Sequence, residues 1–125
     1  MLDGLAVVRE AHPITLDNSE PEPDLAIVRL PETTYMNRQP IAKDIYWLVE
    51  VSNKTLKIDL SQKAVIYARN KIPEYWVIDL KNKKLIVHTQ PVEEKYAQIE
   101  EYQVGVVCPQ AFPQVKIAVD QLLLF

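Results

Sequence analysis

The sequence predicts a mixed α/β domain, an α+β fold in which one mixed sheet is flanked by helices. Apolar, β-branched and aromatic runs recur along most of the 125 residues, which indicates a strand-rich chain. The strongest strand pattern, Ile45–Ser52, is followed by an amphipathic stretch and then by a second strong pattern at residues 75–80. Because a strand–helix–strand unit of this spacing usually pairs its strands in parallel, we expect a parallel pair within one domain spanning residues 1–125.

The first half of the chain contains short strands separated by proline-rich loops. Residues 5–9 form a short β-like run, and residues 19–23 contain two prolines that forbid a helix. Residues 24–30 are almost continuously apolar after the first position, which is typical of a buried strand. Residues 31–44 mix prolines with polar side chains and are expected to form a loop before the Ile45–Ser52 strand.

A single helix is expected after that strand. Asp59 or Ser61 can cap its start, because either side chain accepts hydrogen bonds from the free N–H groups of a first turn. Leu60, Ala64 and Tyr67 share one face, and Pro73 ends the helix. Beyond the 75–80 strand we expect a hairpin turn at residues 81–83 with a left-handed Asn82, and a partner strand at residues 85–89 with a surface His88. The Glu-rich alternation of residues 96–102 indicates a further strand, and short apolar runs follow at residues 104–107, 115–119 and 122–125.

Composition excludes several classes of protein. A single cysteine, Cys108, cannot form an internal disulfide, which favours a reducing compartment. Two histidines and one cysteine are too few for a typical zinc site, and Gly4 and Gly105 lie too far apart to form a glycine-rich phosphate loop. No apolar run approaches the roughly 20 residues of a membrane helix, and no leader pattern is present. We therefore expect a cytoplasmic protein without membrane contact.

The charge of the chain is unevenly distributed. The net charge is −3, which by itself argues against nucleic acid as a partner. Residues 53–84, however, carry eight basic and three acidic side chains, a net +5, whereas the remaining residues carry −8. A solvated helix and turn would explain this segment, and so would a surface that attracts phosphate groups.

Two acidic residues interrupt apolar strand patterns. Asp24 follows Pro23 at the start of a buried-looking strand, and Glu50 lies within the most apolar stretch of the chain. A lone carboxylate in such a place is costly unless it is paired, hydrogen-bonded or bound to a metal ion. If the two strands are neighbours, both carboxylates meet at one point and form a hard-oxygen site suited to Mg²⁺. Alternatively, Asp24 caps a turn and Glu50 faces solvent at a sheet edge.

Lys63 is the third candidate for the site. It lies in the first turns of the expected helix, directly after the Glu50 strand. A lysine at this position can reach back over the strand end and stabilise a water or a phosphate oxygen. A solvated lysine on the polar helix face is the alternative.

At these positions the sequence resembles the putative restriction endonuclease family of cyanobacteria and other bacteria, also called the Uma-two-like family. The resemblance covers roughly residue 5 to the C-terminus. Its most specific part is a Glu-Val-Ser and Thr-Leu element followed by Asp, Lys, Tyr and Ile-Pro-Glu-Tyr-Trp at matching spacings. The matching elements are Pro23-Asp24, Val49-Glu50-Val51-Ser52, Thr55-Leu56, Asp59, Lys63, Tyr67 and Ile72-Pro73-Glu74-Tyr75-Trp76.

The resemblance implies a PD-(D/E)XK nuclease fold and Mg²⁺- or Mn²⁺-dependent hydrolysis of DNA. In that pattern Asp24 and Glu50 are metal ligands, the Val51 carbonyl assists them, and Lys63 replaces the lysine that the motif usually has at the position of Ser52. The metal would polarise the phosphate and activate water, and Lys63 would stabilise the developing charge. The candidate DNA contacts are Ser52, Lys54 and Lys57.

The chain departs from this family in two ways. Family members usually carry further N-terminal residues that shape the substrate cleft, so we expect residues 1–125 to hold an N-terminally short version of the fold. Lys71 stands where the family more often has a glycine, so this lysine must take a left-handed conformation or the helix must end differently. Two alternatives to an active nuclease therefore stay open: a non-catalytic module that dimerises through an exposed sheet edge, and a nucleic-acid binder that does not cleave. A homodimer is the expected assembly.

Overall fold

A six-stranded mixed sheet forms the centre of the protein, as seen in a computed structural model that describes residues 2–124. The strands lie side by side in sequence order, which places β3 and β4 in the middle of the sheet. These two strands are parallel, as predicted, and every other neighbouring pair is antiparallel. The strands are β1 (Val7–Glu10), β2 (Leu25–Val28), β3 (Ile45–Ser52), β4 (Glu74–Asp79), β5 (Lys84–Val92) and β6 (Lys95–Tyr102).

Two short helices, α1 (Leu56–Leu60) and α2 (Gln62–Arg69), connect β3 to β4 in place of the single expected helix. The break falls at Ser61, whose φ of −114° and ψ of −77° depart from helical values. The prediction that Asp59 or Ser61 caps the helix start is wrong, because Asp59 lies within α1 and neither helix has a side-chain cap at its first residue. After α2 the chain turns through Lys71, which takes the left-handed conformation, the first of the two alternatives, with a φ of 59°.

The helices cover one face of the sheet. Buried side chains of α2, including Tyr67 and Ala68, pack on Leu48 of β3 and on Tyr75 and Val77 of β4. These side chains occupy alternate positions along each strand, as the two-residue repeat of a β-strand requires. This face of the sheet contains the candidate site.

The C-terminal segment covers the opposite face of the sheet. It comprises β7 (Val106–Val107), β8 (Ile117–Ala118) and α3 (Val119–Leu122). Trp47 and Trp76 lie beneath it as predicted core residues, with ring centroids 5.4 Å apart, and Phe112 packs against Trp47. The apolar run expected at residues 122–125 therefore belongs in part to a helix, and its last residue, Phe125, lies outside the described residues.

Two local expectations are corrected by the structure. His88 is buried and not on the surface, because its ring stacks with the Tyr75 ring and its Nδ1 lies 2.9 Å from the Tyr75 carbonyl oxygen. In the β4–β5 turn the left-handed residue is Lys83 rather than Asn82. Asn82 instead donates two hydrogen bonds to the Asp79 carboxylate, one from its backbone N–H and one from its side-chain amide. No helix within residues 2–124 has the length and apolar character needed to span a membrane.

Candidate active site

The structure brings Asp24 and Glu50 together at one edge of the sheet. Strands β2 and β3 are antiparallel with Leu25 opposite Val49, so Asp24 lies next to the carboxyl-terminal half of β3. The Asp24 amide donates to Oε1 of Glu50 at 3.2 Å, and the Val51 amide donates to Oδ2 of Asp24 at 2.6 Å. Asp24 and Glu50 are therefore adjacent residues of the site, joined through backbone N–H groups that donate to each carboxylate. The backbone N–H of Val51 is the group that contacts Asp24, whereas the family resemblance implies the Val51 carbonyl as the candidate ligand.

Glu50 is buried beneath the helices, with 2% of the residue exposed, so the alternative that it faces solvent is wrong. Its Oε2 accepts a hydrogen bond from the Tyr67 hydroxyl at 2.9 Å and lies 3.1 Å from Nζ of Lys63. Burial raises the pKa of Glu50 above its ordinary value, although Lys63, Tyr67 and the Asp24 amide counteract part of that rise. Burial and the Glu50 carboxylate also raise the pKa of Tyr67, so its phenol stays protonated and donates.

Lys63 joins two carboxylates. Its Nζ lies 3.1 Å from Oε2 of Glu50 and 3.1 Å from Oδ1 of Asp59. One third of its side chain, 34%, is exposed at the surface of the site. Partial burial lowers the pKa of Lys63, but the two carboxylates outweigh that effect and hold the pKa above its ordinary value. At neutral pH Lys63 is therefore an ammonium group that can donate hydrogen bonds but cannot act as a base.

Asp59 is the member of this network whose position in the site the sequence patterns did not predict. Its residue is 1% exposed, and its Oδ2 accepts hydrogen bonds from the hydroxyls of Ser52 and Thr55, the latter at 2.9 Å. Asp59 and Lys63 are four residues apart, a spacing that brings side chains together on a helix, and this signal could have identified the pair. Ser52 is itself 1% exposed and its hydroxyl donates to Asp59, so this predicted contact residue faces the interior rather than the protein surface.

The basic segment only partly surrounds the site. Strands β3 and β4 are parallel, so the loops that follow them lie at the same edge of the sheet as the Asp24–Glu50 pair. Lys54 and Lys57 are exposed there, after β3. Arg69 and Lys84, by contrast, form ion pairs with Glu94 and Glu101, which compensate part of the charge of the segment. The four exposed lysines at this edge are Lys54, Lys57, Lys81 and Lys83.

The donor set at this edge fits a hard divalent cation. Asp24 is exposed, and Oε1 of Glu50 accepts a hydrogen bond from the Asp24 backbone N–H, so two residues with carboxylate side chains are adjacent here. Magnesium is typically held by one or two carboxylates, with water and substrate phosphate completing its shell. Within residues 2–124 no group of three or more His, Cys, Asp or Glu side chains is placed to hold a metal, so this pair is not a preformed cage.

The mixed sheet, with crossover helices between its two central parallel strands, defines an α/β protein. One solved structure with this fold is a putative nuclease of the DUF820 family from Anabaena variabilis ATCC 29413. It matches with a TM-score of 0.72 at 14% identity, over 98% of this chain and 71% of that one. No curated protein matches the chain. The Uma2 family, described as putative restriction endonucleases, matches residues 2–120, and the chain belongs to this family.

Proposed function

We propose that this protein is a metal-dependent endonuclease that hydrolyses DNA phosphodiester bonds in the cytoplasm, with residues 1–125 acting as one domain. The observation that carries the proposal is the convergence of Asp24, Glu50 and Lys63 at one edge of the sheet. Family membership and the similar putative nuclease support the same class of activity. A lone thiol such as that of Cys108 is also compatible with a reducing compartment.

In this proposal Asp24 and Glu50 hold Mg²⁺ or Mn²⁺, with the Val51 carbonyl as a further candidate ligand. When bound, the ion supplies Lewis acidity toward the phosphodiester and lowers the pKa of water. The Lys63 ammonium, fixed near Glu50, donates a hydrogen bond to the negative charge that develops on the phosphate oxygens. Tyr67 keeps Glu50 oriented through its 2.9 Å hydrogen bond.

Cleavage of plasmid DNA in the presence of Mg²⁺ or Mn²⁺ tests the proposal directly. We expect wild-type cleavage to require the metal, and Asp24→Asn and Lys63→Met each to reduce the rate about 100-fold, the usual effect of removing a group that stabilises transition-state charge. Asp17→Asn is the matched control, because Asp17 is also an exposed aspartate and lies outside the site. Cleavage that persists at the wild-type rate in both site variants would contradict the assignment.

Lys54 and Lys57 are the proposed DNA contacts, since both are exposed beside the site. Each neutralised phosphate contributes about 0.9 to the slope of log affinity against log salt concentration. The double variant Lys54→Ala/Lys57→Ala should therefore weaken DNA binding and reduce that slope by about 2. Lys116→Ala, which removes an exposed lysine from the C-terminal segment, should leave the slope unchanged. An unaltered slope in the double variant would exclude these two contacts.

The exposed edge strand β6 favours a second candidate function, in which the protein acts as a dimerising module and does not need to cleave DNA. This strand ends the sheet and is mostly exposed, including Ile99 at 57% exposure. An antiparallel copy of β6 centred on Gln98 would place Lys95 opposite Glu101 of the partner subunit and would cover both copies of Ile99. Opposite charges at the two ends of the strand make this arrangement self-complementary.

Sedimentation measurements distinguish the dimer from a monomer. We expect the wild-type protein to sediment as a dimer at micromolar concentration and Ile99→Asp to sediment as a monomer. Val104→Asp is the control, because Val104 is an exposed apolar residue outside β6. If the wild-type protein remains monomeric, the dimer is excluded. If the same monomer cleaves DNA in a metal-dependent manner, the nuclease proposal still stands.

A further inference from the structure

We propose that Asp59 is a positioning residue that fixes Lys63 over the candidate site, an inference that rests on the proposed function. The observation behind it is a partly buried chain of contacts on the helix-covered face of the sheet. Oδ1 of Asp59 lies 3.1 Å from Nζ of Lys63, and Nζ lies 3.1 Å from Oε2 of Glu50. Lys63 is therefore held by two carboxylates, of which only Glu50 is a proposed metal ligand.

Asp59 is itself fixed in place by three hydroxyl groups. Ser52, at the end of β3, and Thr55, in the following loop, both donate to Oδ2 of Asp59. The Tyr75 hydroxyl, on β4, donates to the backbone carbonyl of Asp59 at 2.9 Å. These contacts tie α1 to both strands of the parallel pair, so the Asp59 carboxylate has a defined position relative to Glu50.

The break between the two helices explains why Lys63 needs this contact. Lys63 lies in the first turn of α2, whereas Asp59 lies in α1, and the irregular backbone of Ser61 separates the two helices. The ion pair between Asp59 and Lys63 therefore spans the break. A lysine side chain has a flexible four-carbon stem and is a point charge without a preferred geometry, so it depends on its partners for position. If Glu50 serves as a metal ligand, Asp59 would be the carboxylate that remains free to hold the Lys63 ammonium.

This role predicts a kinetic signature for Asp59→Asn. The asparagine carbonyl can still accept hydrogen bonds from Ser52 and Thr55, but the charge that holds Lys63 is lost. We expect kcat for DNA cleavage to fall about 10- to 100-fold while KM changes little, because a misplaced group loses transition-state contacts rather than substrate binding. Asp44→Asn is the matched control, since Asp44 is also buried but pairs with Arg38 away from the site.

A double-mutant cycle on the metal-free protein supplies a second readout that does not depend on activity. Asp59→Asn, Lys63→Met and the double variant are unfolded in urea, and their equilibrium constants are compared. Residues in direct contact give non-additive effects, and we expect the double variant to differ from additivity by about three- to tenfold in the unfolding constant. The corresponding cycle of Asp44→Asn with Lys63→Met should be additive.

The possible outcomes separate this proposal from the proposed function. Additive effects in the Asp59–Lys63 cycle would overturn the contact, and a coupled cycle with unchanged kcat in Asp59→Asn would show that Asp59 serves stability alone. A wild-type protein that cleaves no DNA with either metal would overturn the proposed function, while the cycle would still decide whether Asp59 holds Lys63. A coupled cycle together with a reduced kcat supports both.

Discussion

Two buried glutamates on neighbouring parallel strands have opposite environments. Glu50 on β3 and Glu74 on β4 are each 2% exposed, and they point to opposite faces of the sheet. Glu50 lies within 3.1 Å of the Lys63 ammonium and beside the second carboxylate, Asp24. Glu74 accepts hydrogen bonds only from neutral groups among the described residues, namely Nε1 of Trp76 at 2.7 Å and the Gln110 amide at 2.8 Å.

The comparison shows that burial of a carboxylate does not by itself identify a site. Burial raises the pKa of both groups, and hydrogen bonds counteract part of the rise in each case. Two features distinguish Glu50: the Lys63 ammonium, which contacts it from α2, and the exposed Asp24 beside it. Glu74 instead links β4 to the C-terminal segment, since Gln110 lies 36 residues further along the chain. We infer a chemical role for the first carboxylate and a structural role for the second.

Exchanging each glutamate for glutamine gives the largest expected contrast between the two sites. Glu50→Gln should reduce metal-dependent DNA cleavage about 100-fold or more, because it removes a proposed metal ligand and the partner of Lys63. Glu74→Gln should stay within about threefold of the wild-type rate, because its contacts face away from the site. Cleavage assays at a temperature where both variants are folded, checked by circular dichroism, measure this difference. Equal losses in the two variants would remove the distinction between the sites.

Replacing Lys63 tests whether its ammonium group is what distinguishes the environment of Glu50 from that of Glu74. Lys63→Met leaves the buried Glu50 carboxylate without an ammonium partner, and we expect a loss of about 2 kcal/mol in unfolding free energy near pH 8. This figure lies below the range for a fully buried pair because Lys63 is one-third exposed. The loss should shrink toward about pH 5, because the pKa of Glu50 is already raised and protonation removes its unpaired charge.

Urea unfolding at the two pH values measures this effect. Lys57→Met is the control, because Lys57 is exposed on α1 and such substitutions usually change stability by about 0.5 kcal/mol or less. A loss of stability in Lys63→Met that is the same at both pH values would show that the unpaired Glu50 carboxylate is not its cause.

Much of the fold could be predicted because its signals are local. The apolar run of β3, the Pro73 that precedes β4 and the length of the crossover all lie close together in sequence, and they specify the parallel pair. The interruption of that run by Glu50 identified a candidate site residue for the same reason. Lys63 could be selected among the many lysines because its spacing from the Glu50 strand matches the family pattern.

The remaining features depend on contacts that sequence patterns do not encode. Asp59 has the side chain of a helix cap, and only the break at Ser61 and the hydroxyls of Ser52 and Thr55 explain why it lies inside the network. The sequence places His88 in a hairpin strand, where a histidine is usually at the surface. In the structure its ring packs on the Tyr75 ring and its Nδ1 contacts the Tyr75 carbonyl oxygen, so the residue is buried. The four-residue spacing can pair Asp59 with Lys63, but the hydroxyl partners of Asp59 and the Tyr75 partner of His88 come from other parts of the fold. Composition and periodicity cannot reveal those contacts.

The smallest expected effect concerns the pH dependence of stability, and it applies to Glu74. Its pKa in the folded protein is raised by burial above the ordinary value of 4.5, so the folded state binds this proton more tightly than the unfolded state does. The resulting stabilisation is fully present below that ordinary value and is lost as the pH rises through the folded pKa. Glu74→Gln removes this loss, so the decline in unfolding free energy as the pH rises above about 4.5 should be smaller in this variant than in the wild-type protein.

Urea unfolding across that pH range, with the exposed Glu93→Gln as control, measures the change. Part of the decline should persist in Glu74→Gln, because the pKa of Glu50 is raised in the same direction. If the unfolding free energy of Glu74→Gln declines as steeply with pH as that of the wild-type protein, Glu74 does not contribute to the decline. Both glutamates are expected to contribute to the pH dependence of stability, but only Glu50 is expected to affect cleavage. The two properties together therefore separate a structural carboxylate from the proposed catalytic one.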